Sequence, residues 1–451
     1  MKTKNFISPL IFSITVLCLG NQLHANMPVW TFTPITDTTI KIPTNSTTCI
    51  QYTVTNQSSI THTLTLQSLP AGITQITKAP APTNCPSLAP GASLCTSPFT
   101  LGYQQSCTLT LEITGSALSG KVTKGPVACQ ANTDGTPNPN QCYQPSKANS
   151  LNITTTSPTR AKSIIIGDIG TNFVLTFPAT GTGNIVPTDN LSGSNTGIIS
   201  PYALFIDHSD KLWVSNWTGP IPLTQFNLPA TGNVTPLTTI AGSNTTIQGS
   251  VGVGEDFYGN LYVADYNNNA INVFAPGASG NAAPIRQIIG SNTHLDAPEY
   301  IAVTQSGTVF VANSGSNFST PSLVEFAAGA NGNVAPIRNI SGSNTTFIRP
   351  TGLWIDFAGN FWVADSDANS ILKFAPDAVG NVAPIVKISG ANTMISFPYG
   401  VAIDGLGFIY IGSDNGQIKV FAPTANGNVA PIQTIAGGNT LLDEPVGLTI
   451  Q

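Results

Sequence analysis

Charged side chains are the scarcest thing in this chain. Only 16 of 451 residues are Lys or Arg and 21 are Asp or Glu, far below the roughly one quarter typical of a soluble domain. No Lys/Arg cluster occurs, and the formal net charge is −5. A phosphate backbone demands a concentrated basic surface, so nucleic acid is excluded as a partner. Histidine is nearly as rare, with His24, His62, His208 and His294 making up the set of four. No CxxC spacing exists, which removes the usual zinc motifs. Neither a nucleophile elbow nor a phosphate loop is present; Gly252-Val-Gly-Glu255 does not continue as one. Beyond the first 20 residues no apolar run could span a bilayer, so no transmembrane segment is expected. The space left by charge is filled by Gly (42), Pro (34), Asn and Thr, a turn-rich β composition solvated by amides and hydroxyls.

The N-terminus reads as a secretory signal over residues 1–25. Lys2 and Lys4 form a positive start, residues 7–20 an apolar stretch too short to span, and cleavage is expected after Ala25. Cys18 offers a lipoprotein alternative, although Leu17 before it is bulky for that processing. The other six cysteines, Cys49, Cys85, Cys95, Cys107, Cys129 and Cys142, all fall in one segment. An even number in an exported chain implies disulfides. Their pairing stays open, with Cys85–Cys95 and Cys129–Cys142 among the short-range options. The expected location is secreted, periplasmic or at the cell envelope.

At 451 residues the chain exceeds one ordinary core, so at least two domains are expected. Residues 26–157 alternate apolar and polar positions in short runs, as in 49–55, 62–66 and 106–113, with Leu151 and Ile153 closing the set. Roughly seven such strands separated by turn signals predict a disulfide-bonded Ig-like β-sandwich. Residues 154–161, TTTSPTRA, read as a linker to a second domain.

Residues 158–451 repeat. Asn195, Asn244, Asn292, Asn344, Asn392 and Asn439 share a G-S-N-T-like tetrad and are spaced by 49, 48, 52, 48 and 47 residues. Phe177, Phe226, Phe274, Phe326, Phe374 and Phe421 end a second motif with the same spacings. A G-N-x-x-P element comes after each Phe. Every unit of about 48 residues holds four strand-like runs; around residue 350 these are 352–355, 361–364, 371–374 and 336–340 of the preceding phase. Four strands at this period predict a propeller blade. Residues 445–451 match only a first strand and 163–168 only a second, so the C-terminal strand should complete the N-terminal blade. The fold expected is all-β: the sandwich, then a six-bladed β-propeller closed by a mixed blade, with no free sheet edge in the ring.

The clearest unit, residues 350–374, reads P-x-G-L-x-I-D-x-x-G-x-x-W-V-A-D-x-x-x-N-x-I-x-x-F. It resembles the NHL repeat, in the broad group of the SMP-30/gluconolactonase and streptogramin-lyase propellers. The resemblance covers nearly all of 160–451. It implies a fold that hosts enzymes and binding platforms alike. The amidating lyase of this group implies three zinc-binding histidines, which His208 and His294 cannot supply. The streptogramin lyase type implies histidines with a glutamate and magnesium, and the gluconolactonase type a Glu/Asn/Asp calcium site in the channel.

The recurring Asp207, Asp256, Asp356 and Asp404, and Asp168, Asp265 and Asp365, sit where the repeat needs turn formers, so they read as structural. Function is expected where the repeat breaks. Glu299 and Tyr300 replace small or neutral residues, and Tyr202 and Tyr399 share the phase of Glu299, which predicts a cluster at one channel mouth suited to a polar ligand such as a sugar. The loop 313–321 is about four residues longer than its equivalents and carries Phe318, and Trp217 occupies that loop position in the first full unit. The function expected is non-enzymatic recognition of a protein or glycan partner with no cofactor. The alternative is a lactonase-like hydrolase or lyase with Ca or Mg in the channel, which Glu299 would help to bind.

Overall fold

The computed structural model describes residues 29–78, 85, 88, 91–304, 307–315 and 320–451. The expected signal segment with Cys18, and Phe318, lie outside the described residues. Nearly all regular structure is β. Among the described residues no helix is long and apolar enough to cross a membrane.

The N-terminal part builds two four-stranded antiparallel sheets over one shared core. One sheet runs Trp30–Pro34, Thr47–Asn56, Ser106–Thr114, Ile73–Ile76; the other runs Phe99–Leu101, His62–Leu66, Ala128–Ala131, Pro137–Tyr143. Alternation explains the core. Ile50, Tyr52 and Val54 point inward from one strand and Leu109, Leu111 and Ile113 from its partner, against Leu64, Phe99 and Leu101 of the facing sheet. Thr39–Pro43 and Asn152–Thr156 add a parallel pair, so among the described residues this part holds ten strands rather than roughly seven. Cys129 pairs with Cys142, but Cys85 does not pair with Cys95. The backbone of 93–95 runs beside Thr108, with Cys95 N–H donating to its carbonyl at 2.9 Å, and this brings Cys95 to Cys107. Cys85 pairs with Cys49.

The rest of the chain forms six further four-stranded antiparallel sheets. Numbered around the ring, their inner strands are Pro445–Ile450 (sheet 1), Pro201–Ile206 (sheet 2), Ser250–Glu255 (sheet 3), Pro298–Val303 (sheet 4), Pro350–Ile355 (sheet 5) and Pro398–Ile403 (sheet 6). Each inner strand packs on the next, and that of sheet 6 packs on that of sheet 1, which makes a β-propeller. Sheet 1 is the mixed one: Pro445–Ile450 pairs antiparallel with Ser163–Asp168. The outermost strand of sheet 5 is Val386–Ser389. The preceding run, Arg338–Ser341, belongs instead to sheet 4, because a short antiparallel return joins each third strand to the next run along the chain.

The two repeat-marking motifs prove to be halves of one clasp between neighbouring sheets. The backbone N–H of Asn344 donates to Asn381 Oδ1 at 2.7 Å, and equivalent bonds run from Asn195, Asn244, Asn292, Asn392 and Asn439 to Asn233, Asn281, Asn333, Asn428 and Asn184. The last of these joins the end of the chain to its beginning. The glycine that opens each tetrad holds φ between 110° and 126°, and a Cβ at Gly390 would lie 2.6 Å from the Asn428 side chain, so only glycine fits. Parallel bridges such as Ile340↔Gly380 cover the outer edge of every sheet, which blunts the pairing hazard of open edges.

The N-terminal sheets sit over the hairpin-turn end of the ring. Tyr258 OH donates to Ile35 O at 3.1 Å, Asn45 Nδ2 to Gly405 O at 2.7 Å, and Thr47 N–H to Phe357 O at 3.4 Å. The stretch read as a linker is itself docked: 154–156 is strand, and Ala161 N–H donates to Asp404 Oδ2 at 3.1 Å.

Candidate functional site

The uncovered end of the ring is built from the starts of the inner strands. Five of these carry a β-bulge between their first and third residues, at Pro445/Gly447, Pro201/Ala203, Pro298/Tyr300, Pro350/Gly352 and Pro398/Gly400, and the sixth carries one between Ser250 and Val253. A bulge leaves its extra residue unpaired and re-aims the side chain. The second residues are Tyr202, Glu299, Thr351 and Tyr399, with Val251 and Val446 in the other two sheets. Tyr202, Glu299 and Tyr399, expected together from their shared phase, do meet here.

Glu299 is 1% exposed. Tyr202 OH donates to its Oε2, and Arg349 Nη2 lies 3.3 Å from its Oε1. Burial pushes the Glu299 carboxyl above the usual carboxylate range, opposed by Arg349 and by hydrogen bonds from Tyr202 and Ser314. Burial also pushes the Tyr202 hydroxyl up, and the Glu299 charge adds to it, so this proton stays in place. Arg349 Nη1 donates to Tyr399 OH at 3.3 Å, and the guanidinium stands 5.5 Å from the Tyr399 ring centre. The backbone of Arg349 is itself pinned: its N–H donates to Asp365 Oδ1 at 2.7 Å, and its carbonyl accepts from Ser366 N–H at 2.9 Å. The Tyr202 ring lies 6.1 Å from Tyr399 and 5.8 Å from Trp217, and Trp217 lies edge-on to Tyr266 at 5.2 Å. Trp217, Tyr266, Tyr399 and Arg349 remain part-exposed, so the mouth presents aromatic faces around one guanidinium.

Two expectations are corrected by this geometry. Glu299 is not an open acid at the mouth; it is buried and paired with Tyr202 and Arg349. Trp217 is half-buried in an aromatic stack. Tyr300 is absent from the mouth: it is the first paired residue past the bulge, against Ala312, and its side chain enters the channel. It occupies the phase filled by Gly252, Gly352, Gly400 and Gly447, where a Cβ at Gly447 would lie 2.7 Å from Tyr202 O. Its hydroxyl hydrogen-bonds with the backbone at Leu204 and Leu448, on the inner strands of sheets 2 and 1. Sheet 1 stands opposite sheet 4, so Tyr300 crosses and plugs the channel. Burial pushes its phenol up to about 12.

Arg349 and Tyr266 were missed from sequence. Arg349 sits immediately before Pro350, where other units carry Ser200, Gly249, Ala297, Phe397 or Glu444; a lone Arg there was the available signal. His208 is 2.8 Å from Glu255. A second concavity, of about 290 Å³, lies between the N-terminal sheets and the ring, lined by Ile40, Ile42, Phe310, Phe357 and Phe361 among others.

No family model matches the sequence, and no curated protein matches it either. Among solved structures, the chain is similar to a Bacteroides caccae protein of unknown function, at 11% identity and TM-score 0.47 over 64% of this chain and 99% of that one. It is similar to a streptogramin B lyase at 12% identity and TM-score 0.36, over 65% and 86%. It is also similar to the WD40 propeller domain of Doa1, at 18% and 0.36, over 55% and 72%. The propeller fold itself rests on the ring of sheets described above.

The mouth does not fit a divalent cation. Both Glu299 oxygens are engaged, one by Tyr202 and one by Arg349, and a guanidinium beside the carboxylate repels a second cation. Among the described residues no three His, Cys, Asp or Glu side chains converge as metal ligands. What the arrangement offers instead is stacking and hydrogen bonding.

Proposed function

We propose that this is an exported recognition protein. An Ig-like, disulfide-braced sandwich of residues 26–157 carries a six-bladed, NHL-type propeller of residues 158–451. The propeller binds a protein or glycan at the cell envelope or outside the cell, through the mouth that the sandwich leaves open. One observation carries this reading: Tyr202, Trp217, Glu299 and Tyr399 meet at this mouth, and the carboxylate among them, Glu299, is already paired with Arg349 and Tyr202. A general base must reach the proton it takes, and Glu299 faces Tyr202 and Arg349 instead. Trp217, Tyr266 and Tyr399 supply flat apolar faces, and Arg349 supplies fixed donors, a pairing suited to a sugar ring or an aromatic-rich peptide. Three disulfides are in keeping with an oxidising compartment.

The test is an array of soluble oligosaccharides and surface polypeptides probed with the mature chain, with intrinsic Trp emission as a second readout. Ligands that bind the native protein and shift its emission are expected to be lost in Trp217→Ala and Tyr266→Ala. Glu299→Gln should retain them if it folds. Binding that survives both aromatic substitutions sinks the mouth as the site, and turnover of a lactone abolished by Glu299→Gln would return the enzyme reading.

A further inference from the structure

The repeat supplies its own controls, and one position departs from them. The last residue of each second strand is Asp168, Asn216, Asp265, Asn313 or Asp365 in sheets 1 to 5, and Ser413 in sheet 6. In sheets 1 to 5 this side chain accepts a backbone N–H from the loop entering the inner strand. Asp365 takes Ile348 N–H at 2.9 Å, Asp265 takes Gly249 N–H at 3.0 Å, Asn216 takes Ile199 N–H at 3.1 Å, Asp168 takes Asp443 N–H at 2.8 Å, and Asn313 takes Asp296 N–H at 3.4 Å. The matching donor in sheet 6 is Ser396 N–H. Ser413 lacks the carboxyl or amide carbon of its siblings and is one bond shorter, and its buried hydroxyl has no hydrogen-bond partner among the described residues.

Sheet 6 departs a second time at the adjoining position. In sheet 3 Asn272 stands next to Asp265, with Nδ2 3.4 Å from Oδ2. The residue equivalent to Asn272 in sheet 6 is Lys419. Pairing of Ile411 with Lys419 and of Ser413 with Gln417 puts Ser413 and Lys419 on one face, the face that packs Ile411 and Phe421 against Ile371 and Trp362 of sheet 5. Lys419 is 0% exposed, and its Nζ has no partner among the described residues. Relative to its siblings, this sheet has lost an acceptor and gained an ammonium. An isolated buried ammonium is strongly unfavourable unless a counter-charge joins it.

We propose that sheet 6 holds an internal site for a small monovalent anion, of chloride type. It lies between Lys419 Nζ, Ser413 Oγ and Ser396 N–H, where the other sheets place their own carboxylate or amide oxygen. All three groups are donors, which suits a compact anion. Burial lowers the Lys419 amine to about 8, and a bound anion would favour its charged form.

The experiment uses the full mature chain in sodium gluconate at fixed ionic strength, with chloride or bromide replacing gluconate stepwise. The native protein should show a saturable rise of a few degrees in Tm. Ser413→Asp rebuilds the carboxylate of the sibling sheets beside Lys419 and should be insensitive to halide. Lys419→Met should be insensitive too. Bromide-soaked crystals should give an anomalous peak beside Lys419 Nζ in the native protein and none there in Ser413→Asp. An equal halide response in Ser413→Asp, or soaked crystals without that peak, overturns the proposal, as does NMR showing a neutral Lys419 amine at pH 7. If Lys419→Met does not fold, Ser413→Asp and the crystals still decide.

Discussion

Glu299 marks the difference between an ionisable group in a site and an ionisable group that does chemistry. Removing Arg349 would leave the Glu299 carboxylate buried without its counter-charge, a situation that typically costs about 3–5 kcal/mol. Arg349→Met is therefore expected to lower stability by about 3 kcal/mol in urea unfolding. Adding Glu299→Gln should recover part of the loss, because the orphaned charge is then gone. Strictly additive losses in the two variants would show that the pair is not coupled as described. His208 gives a pH-dependent counterpart at the other end of the ring. Its hydrogen bond to Glu255 raises its pKa above 6.5, against partial burial. A raised folded-state value means that the proton binds the folded protein more tightly. The stabilisation is therefore fully present below pH 6.5 and disappears as pH rises through the folded value. NMR titration of His208 should show the raised midpoint, and Glu255→Gln should bring it back toward 6.5. A midpoint unmoved by Glu255→Gln would show that the bridge does not form in solution.

Elements explain what the sequence could and could not reveal. The strands, the hairpin turns and the period are local: Asp256 Oδ1 accepts the N–H groups of Tyr258 and Asn260, each at 3.0 Å, and Asp356 repeats the pattern, so the turn is written in its own residues. Tyr202, Glu299 and Tyr399 were legible because they break the repeat at one phase. Arg349 and Tyr266 were not, since loop residues obey no strand period, and Tyr300 was put in the wrong place because the bulge that separates it from Glu299 is not written in the repeat. The clasp was visible only as two recurring motifs; that they join neighbouring units depends on the ring. It should nevertheless be measurable one sheet at a time. Gly390→Ala places a Cβ against Asn428 at φ 114° and should cost about 2 kcal/mol or more. Asn381→Ala deletes the acceptor for Asn344 N–H and should cost about 1 kcal/mol. Thermal melts of both variants decide this. If Gly390→Ala melts like the native protein, the clasp is not the rigid contact described.

At the scale of the whole molecule, the ring depends on its two ends meeting. Pro445–Ile450 supplies the inner strand of sheet 1, and Leu448 supplies backbone to the Tyr300 hydroxyl across the channel. Truncation after Glu444 would therefore do two things at once. It would strip the inner edge of sheet 1 from residues 163–168, whose Ile164 and Ile166 are fully buried, and it would take away part of the channel plug. The Asn439–Asn184 clasp would remain, so the outer rim would still be tied while the centre opened. A free, apolar inner edge invites pairing with another chain. The truncated protein is expected to self-associate in size-exclusion chromatography, and hydrogen exchange should accelerate first in 163–178 and in the inner strand of sheet 2. A monomeric truncation that keeps native exchange in those strands would show that the ring closes without its sixth inner strand, and that the clasps alone set the stability of the propeller.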